Sequence, residues 1–220
     1  MQRFGLISEG VTDNAVLENI LIGYFNEDIS AYINHLQPPP AASGGWSRVL
    51  KYCSSMDFKN DFDNNDFMVI QIDTDKSFEL PFNVPQALNG VKLSVEQLIE
   101  KVQKRFEQLF LTAFGGDFLI NYGHRILFAI AVHSTECWLL PLYYKDIKDK
   151  SETKNCYEKL NKEVKGLKKE YKIYNSMSSA FCSNKKLEKA FLDNPSFKIF
   201  IENELQVKVP LIDKNNTPSV

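Results

Sequence analysis

Apolar positions in the first 144 residues fall alternately into short continuous runs and longer stretches of helical spacing. Residues 3–8 (RFGLIS) predict a strand, closed by a turn at Glu9-Gly10. Behind it Val16, Leu17, Ile20, Leu21 and Phe25 recur at helical spacing, with Thr12 as the expected cap. A second strand is expected at 32–36, and Pro38-Pro39-Pro40, which offers no backbone donors, breaks the chain after it. Residues 41–45 read as a small-residue loop, 47–54 as a short helix, and the polar, acidic 57–66 as a surface loop. Residues 67–72 (FMVIQI) form a near-continuous run of β-formers, the signature of a strand covered on both faces of a parallel sheet. Two prolines and Asn89-Gly90 make 78–92 a loop. Ser94 with Gln97 three residues on is a capping box, opening a helix that Gly115-Gly116 ends. Residues 125–132 predict another buried strand, and Ser134 is the expected cap of a helix through ECWLLPLYY, bent or ended by Pro141.

This alternation predicts an α/β fold over 1–144, a parallel sheet flanked by helices. After residue 145 the chain is lysine-rich and holds helical patterns without a buried-strand run, including two pieces around Asn194-Pro195. Residues 145–220 are therefore expected to be a helical extension packed on the same domain, with DKNNTPSV as a frayed end.

Composition narrows the function classes. A net charge of −2 excludes a strongly basic whole-protein field but not a local basic patch. The 4 cysteines form no CxxC pair, which argues against a zinc knuckle. The N-terminus lacks the apolar segment of a signal peptide, and no apolar run reaches the length of a membrane span. A cytoplasmic protein with reduced thiols and no membrane partner is the expectation.

The chemistry concentrates at strand ends. Glu9 follows the first strand, Asp73 and Asp75 follow FMVIQI, and Glu136 follows the 125–132 strand. Ligands of open parallel sheets bind at the carboxyl ends of the strands, so these residues converge on one edge. Asp73 and Asp75, two apart in extended chain, face one side, with Thr74 pointing away. Carboxylates so placed repel each other, and a divalent cation relieves the repulsion. Mg²⁺ (or Mn²⁺) suits them, because it takes oxygen ligands and keeps waters for substrate phosphates. A DxD alone also serves in turns and caps; the combination of three strand ends is the more specific signal.

The motifs LISEGVTDNAVLENIL and MVIQIDTD resemble those of the Toprim family, which carries a Glu in an EG-containing turn after its first strand and a DxD after a later one. Primases, topoisomerases and OLD-type nucleases belong to it. The chain is more closely similar to small bacterial Toprim-like proteins of the RloB kind, linked to phage defence. Gly44-Gly45-Trp46-Ser47-Arg48, the acidic-Trp-Leu-Leu helix in HSTECWLLPLYY, and NPSFKIF at 194–200 look like theirs. Ser134 departs from the pattern, standing where the family often has an acidic residue. The resemblance implies a Toprim-like sheet, a Mg²⁺ set of Glu9, Asp73 and Asp75 with Glu9 as general acid or base, nucleic acid as substrate, and an ATPase as partner.

Other residues carry two readings each. Asp13, one turn after Glu9, is a further metal ligand or a first-turn charge favoured by the helix dipole. Glu136, beside Trp138, has the same two readings. His133 orients a phosphate or a water, or is hydrogen-bonded at the helix start. Arg48, behind the Gly44-Gly45 loop, reaches a phosphate at a helix N-terminus or stands in a flexible loop. Lys76 offsets phosphate charge or is a surface lysine. Residues 145–172, with Tyr143, Tyr144, Tyr157, Tyr171 and Tyr174, bind a nucleic-acid backbone or, as the favoured reading, form a solvated helix face. Two functions follow: a Mg²⁺-dependent nuclease or related phosphodiester enzyme, or a non-catalytic Toprim-like module binding a partner protein or nucleotide.

Overall fold

The computed structural model describes residues 1–39 and 42–211. Pro40, Ala41 and the DKNNTPSV end lie outside the described residues.

Four parallel strands build the sheet: β1 (Phe4–Ile7), β2 (Ile33–Gln37), β3 (Phe67–Asp73) and, beyond the short hairpin strands β4 (Ala87–Leu88) and β5 (Val91–Lys92), β6 (Ile126–Ala131). Their spatial order is β2-β1-β3-β6. The register sets Phe4 beside Phe67 and Ile7 beside Ile70, then Met68 beside Ile126 and Asp73 beside Ala131. Side chains alternate between the two faces of a strand. Phe4, Leu6, Phe67, Val69, Leu127 and Ala129 therefore share one core. Ile7, Met68, Ile70, Ile72, Ile126 and Ile130 share the other. The polar Gln71 and Asp73 fall on the first face by the same alternation.

Helix α1 (Val11–Phe25) covers that first face. The second face is covered by α2 (Trp46–Cys53), α3 (Met56–Asn60), α4 (Val95–Phe114) and α5 (Asp117–Tyr122). In α4 the expected capping box is present, and Leu98, Ile99, Val102, Phe106 and Phe110 form its buried stripe. Helix α6 (Glu136–Tyr143) returns from the end of β6, with Pro141 inside it.

The region from α7 (Ile147–Lys150) onward is helical: α8 (Cys156–Glu163), α9 (Tyr171–Ser178), α10 (Asn184–Leu192), α11 (Pro195–Ile199), a π-helical stretch Phe200–Leu205, and α12 (Gln206–Lys208). It packs into the same core as α1 and α6. Trp138 of α6 stacks on Phe197 and Phe200, with ring centroids 5.0 and 5.5 Å apart, and its Nε1 donates to Ser196 Oγ at 2.9 Å. The Tyr24 hydroxyl donates to the carbonyls of Leu205 and Val209. Glu204 accepts the Phe128 N–H on edge strand β6, closing a donor the sheet leaves open.

Several expectations need correction. Residues 57–66 are not a plain loop: α3 and a 3₁₀ turn (Asp61–Asp63) form there because Phe58 and Phe62, one helical turn apart, are buried. Gly10, not Thr12, precedes α1, and Thr12 is buried in its first turn. Thr135, not Ser134, precedes α6. The thiols are not all reduced, since Cys137 of α6 and Cys156 of α8 form a disulfide. Among the described residues no helix is long and apolar enough to cross a membrane.

Candidate functional site

The carboxyl ends of β1 and β3 are tied together by their own polar groups. The Glu9 N–H donates to Gln71 Oε1 at 3.1 Å, and Glu9 Oε1 accepts the Asp73 N–H at 2.8 Å. Gly44 is required beside them, because a Cβ there would overlap the Glu9 carbonyl oxygen. The Gly45 N–H donates to that same oxygen at 2.6 Å, which brings the start of α2 to the edge.

Asp73 Oδ1 accepts from Gln71 Nε2 at 2.7 Å, from the Thr135 N–H at 3.1 Å and from the Thr135 hydroxyl at 3.2 Å. Its Oδ2 carries no protein hydrogen bond among the described residues. The β6 end is locked to the β3 end through His133, whose N–H donates to Thr74 Oγ1 at 2.8 Å and whose carbonyl accepts from the N–H groups of Thr74 and Asp75. His133 holds φ 71°, a left-handed conformation uncommon outside glycine, and its buried Nδ1 has no partner among the described residues. The hydrogen bond expected at the helix start is therefore not made by that ring nitrogen.

Five carboxylates act on each other at this edge. Burial pushes Glu9 up, the Asp73 amide pulls it back, and the charges of Asp13 and Asp75 add repulsion, leaving it raised to about 8. Burial, then the charge of Glu136, raise Asp13 to about 7 against the pull of the Thr135 hydroxyl and Lys169. Asp73 is held well above the ordinary carboxylate range by burial and by the charges of Glu9, Asp13, Glu136 and Asp75. Glu136 goes the other way. Burial is its largest single influence and raises it, but Lys169, the Tyr174 hydroxyl and Ser134 together lower it. Lys169 Nζ stands 3.1 Å from Glu136 Oε1, and the Tyr174 hydroxyl donates to the same oxygen at 2.7 Å.

The structure thus brings Glu9, Asp13, Asp73, Asp75 and Glu136 together. Arg48 is exposed in the first turn of α2 and makes no ion pair among the described residues. Lys76 is exposed and pairs with Glu79 at 3.3 Å. Sequence reading missed Gln71, Thr135, Lys169 and Tyr174. Gln71 was visible as the one polar residue in FMVIQI, and it is fully buried. Most lysines of 145–172 are exposed, Lys169 among them, as a solvated face requires; Tyr174 is the departure, since it is fully buried and with Lys169 holds Glu136.

All potential ligands here are carboxylate oxygens, the hard donors that Mg²⁺ and Mn²⁺ take. The donor chemistry fits such an ion, and Asp73 Oδ2 is open to it. Among the described residues, however, no three His, Cys, Asp or Glu side chains already stand at ligating positions around one point. Comparison with protein-family models, curated proteins and solved structures yields no match.

Proposed function

We propose that the edge formed by Glu9, Asp13, Asp73 and Asp75 holds Mg²⁺ or Mn²⁺ and that the protein is a metal-dependent nuclease or related phosphodiester enzyme acting on nucleic acid. One observation carries the reading. Carboxylates from three chain segments, Glu9 and Asp13 after β1, Asp73 and Asp75 at the end of β3 and Glu136 after β6, meet at one edge of a parallel sheet, with Glu9, Asp13 and Asp73 all held above their ordinary ionisation range. A fold gains nothing in stability from such repulsion, so a cationic ligand is its physical rationale. The Toprim resemblance of LISEGVTDNAVLENIL and MVIQIDTD supports the same reading, and phage defence and an ATPase partner are proposed on that resemblance alone.

When bound, the ion supplies charge neutralisation to a phosphate ester and an acidified water. The chain's own groups do the rest. Without the ion Glu9, raised to about 8, holds a proton near neutral pH, and a cation bound at this edge would favour its release. Thr135 and Gln71 fix Asp73 Oδ1, which aims Oδ2 in one direction. Arg48, exposed and without an ion pair among the described residues, is the group left to meet phosphate oxygens, whereas the unpartnered Nδ1 of His133 is buried.

The test combines Mn²⁺ titration by calorimetry with cleavage assays on single- and double-stranded DNA and RNA. Asp73→Ala is expected to abolish Mn²⁺-dependent cleavage and weaken Mn²⁺ binding while the circular dichroism spectrum stays native. Cleavage undiminished in that variant refutes the proposal. Wild-type protein that binds Mn²⁺ and cleaves nothing favours the non-catalytic module.

A further inference from the structure

The far end of α6 carries a feature that the carboxylate edge does not use. A cavity of about 430 Å³ opens there between α6, the α7 segment and α10. Lys145, Lys150, Lys186 and Lys189 line it. Helix α6 begins at Glu136 and ends at Tyr143, so its length separates the two places by roughly 12 Å.

Of the four lysines, one is compensated by the described residues. Lys150 pairs with Asp193 at 2.7 Å. Lys145, Lys186 and Lys189 are exposed and make no ion pair or side-chain hydrogen bond among the described residues. The acids close by in sequence have other work. Asp146 accepts the Lys148 N–H as the cap of α7, and Asp149 pairs with Lys159 at 2.9 Å. Glu188, between Lys186 and Lys189 in sequence, does not line the cavity.

We infer that this cavity binds a di- or triphosphate chain, free or as part of a nucleotide. Three mobile ammonium groups around one concavity match several phosphate oxygens without demanding fixed geometry, which is how lysine recognises phosphate. The volume is in the range of sites for nucleotide-sized ligands. Leu142 and Ala190 add apolar wall, against which a base can lie. The inference does not rest on the carboxylate edge or on its proposed chemistry.

The experiment is calorimetric titration of the full chain with ATP, tripolyphosphate and adenosine, in EDTA and low salt so that no metal bridges a phosphate to the carboxylates. ATP and tripolyphosphate are expected to bind and adenosine not. Tighter binding of ATP than of tripolyphosphate assigns the site to a nucleotide, and equal binding to the bare chain. Lys186→Glu/Lys189→Glu is expected to weaken binding at least about tenfold, from the loss of two charge-assisted contacts. Lys101→Glu/Lys104→Glu, the same charge change on α4, is expected to leave it within about twofold, apart from weak long-range screening effects. Circular dichroism checks that both variants are folded. Absence of ATP and tripolyphosphate binding, equal loss in the two variants, or a cavity variant that binds as the wild type overturns the inference. So does a protein that binds only a single-stranded oligonucleotide through these lysines.

Discussion

Asp13→Asn tests the electrostatic reading of the site without reference to any activity. Asp13 is 7% exposed and raised from an ordinary 3.8 to about 7 by burial and by Glu136. Roughly three pH units at about 1.4 kcal/mol each give a ceiling of about 4 kcal/mol. Glu9 and Asp73 share the same protons, so removing one charge lets the others relax, and about 2 kcal/mol is the realistic effect. The sign follows from proton counts. Between about pH 4 and 7 the folded protein holds a proton at Asp13 that the unfolded chain has released, so stability falls as pH rises through that window. Near pH 5 the folded group is already neutral, and asparagine should change little. Near pH 8.5 the buried charge is present in the wild type and absent in the variant. Asp13→Asn should then melt about 6 °C higher, at 2–4 °C per kcal/mol for a chain of this size. Thermal melts at the two pH values in EDTA read this directly. A variant destabilised equally at both pH values, or more stable at neither, would refute the account of the cluster.

Two further substitutions probe what the helical C-terminal region does for the edge. Tyr174→Phe removes the buried hydroxyl that donates to Glu136 at 2.7 Å. Its loss should cost about 1.5–3 kcal/mol in urea unfolding, the range for a hydrogen bond to a charged acceptor, and a change under about 0.5 kcal/mol would mean that Lys169 alone holds Glu136 ionised. Gly23→Ala places a Cβ in the carbonyl oxygen of Phe181, where α1 meets the 3₁₀ turn before α10. Backbone must move, so a loss of at least about 2 kcal/mol is expected, and a wild-type urea midpoint would show that this approach is not tight.

The elements were legible wherever one period dominated. FMVIQI and the 125–132 run read as strands covered on both faces, and they are β3 and β6. The boundaries failed where polar residues had two uses. Thr12 and Ser134 have capping chemistry, yet Gly10 and Thr135 precede the helices, because Thr135 is held by Asp73 and Thr12 is buried under the fold. The acidic stretch 57–66 hid two phenylalanines at helical spacing inside a polar composition. Composition reports a segment's average surface and not its anchors.

The site was legible for the same reason and to the same depth. Strand ends nominate Glu9, Asp73, Asp75 and Glu136, because parallel topology puts every strand's carboxyl end on one edge. What the strands cannot nominate is the group that differentiates them. Glu136 alone of the buried set is lowered, and the cause lies in Lys169 and Tyr174, more than 30 residues later in a stretch where lysines and tyrosines are common. No local pattern separates Lys169 from Lys165 or Lys168. Only the packing of α9 against α1 and α6 does, and that packing is decided by the whole core. The helical C-terminal region therefore bears on the site directly. By keeping Glu136 ionised it leaves a negative charge beside Asp13 and Asp73 that raises both, while the Lys169 it supplies draws Asp13 back down.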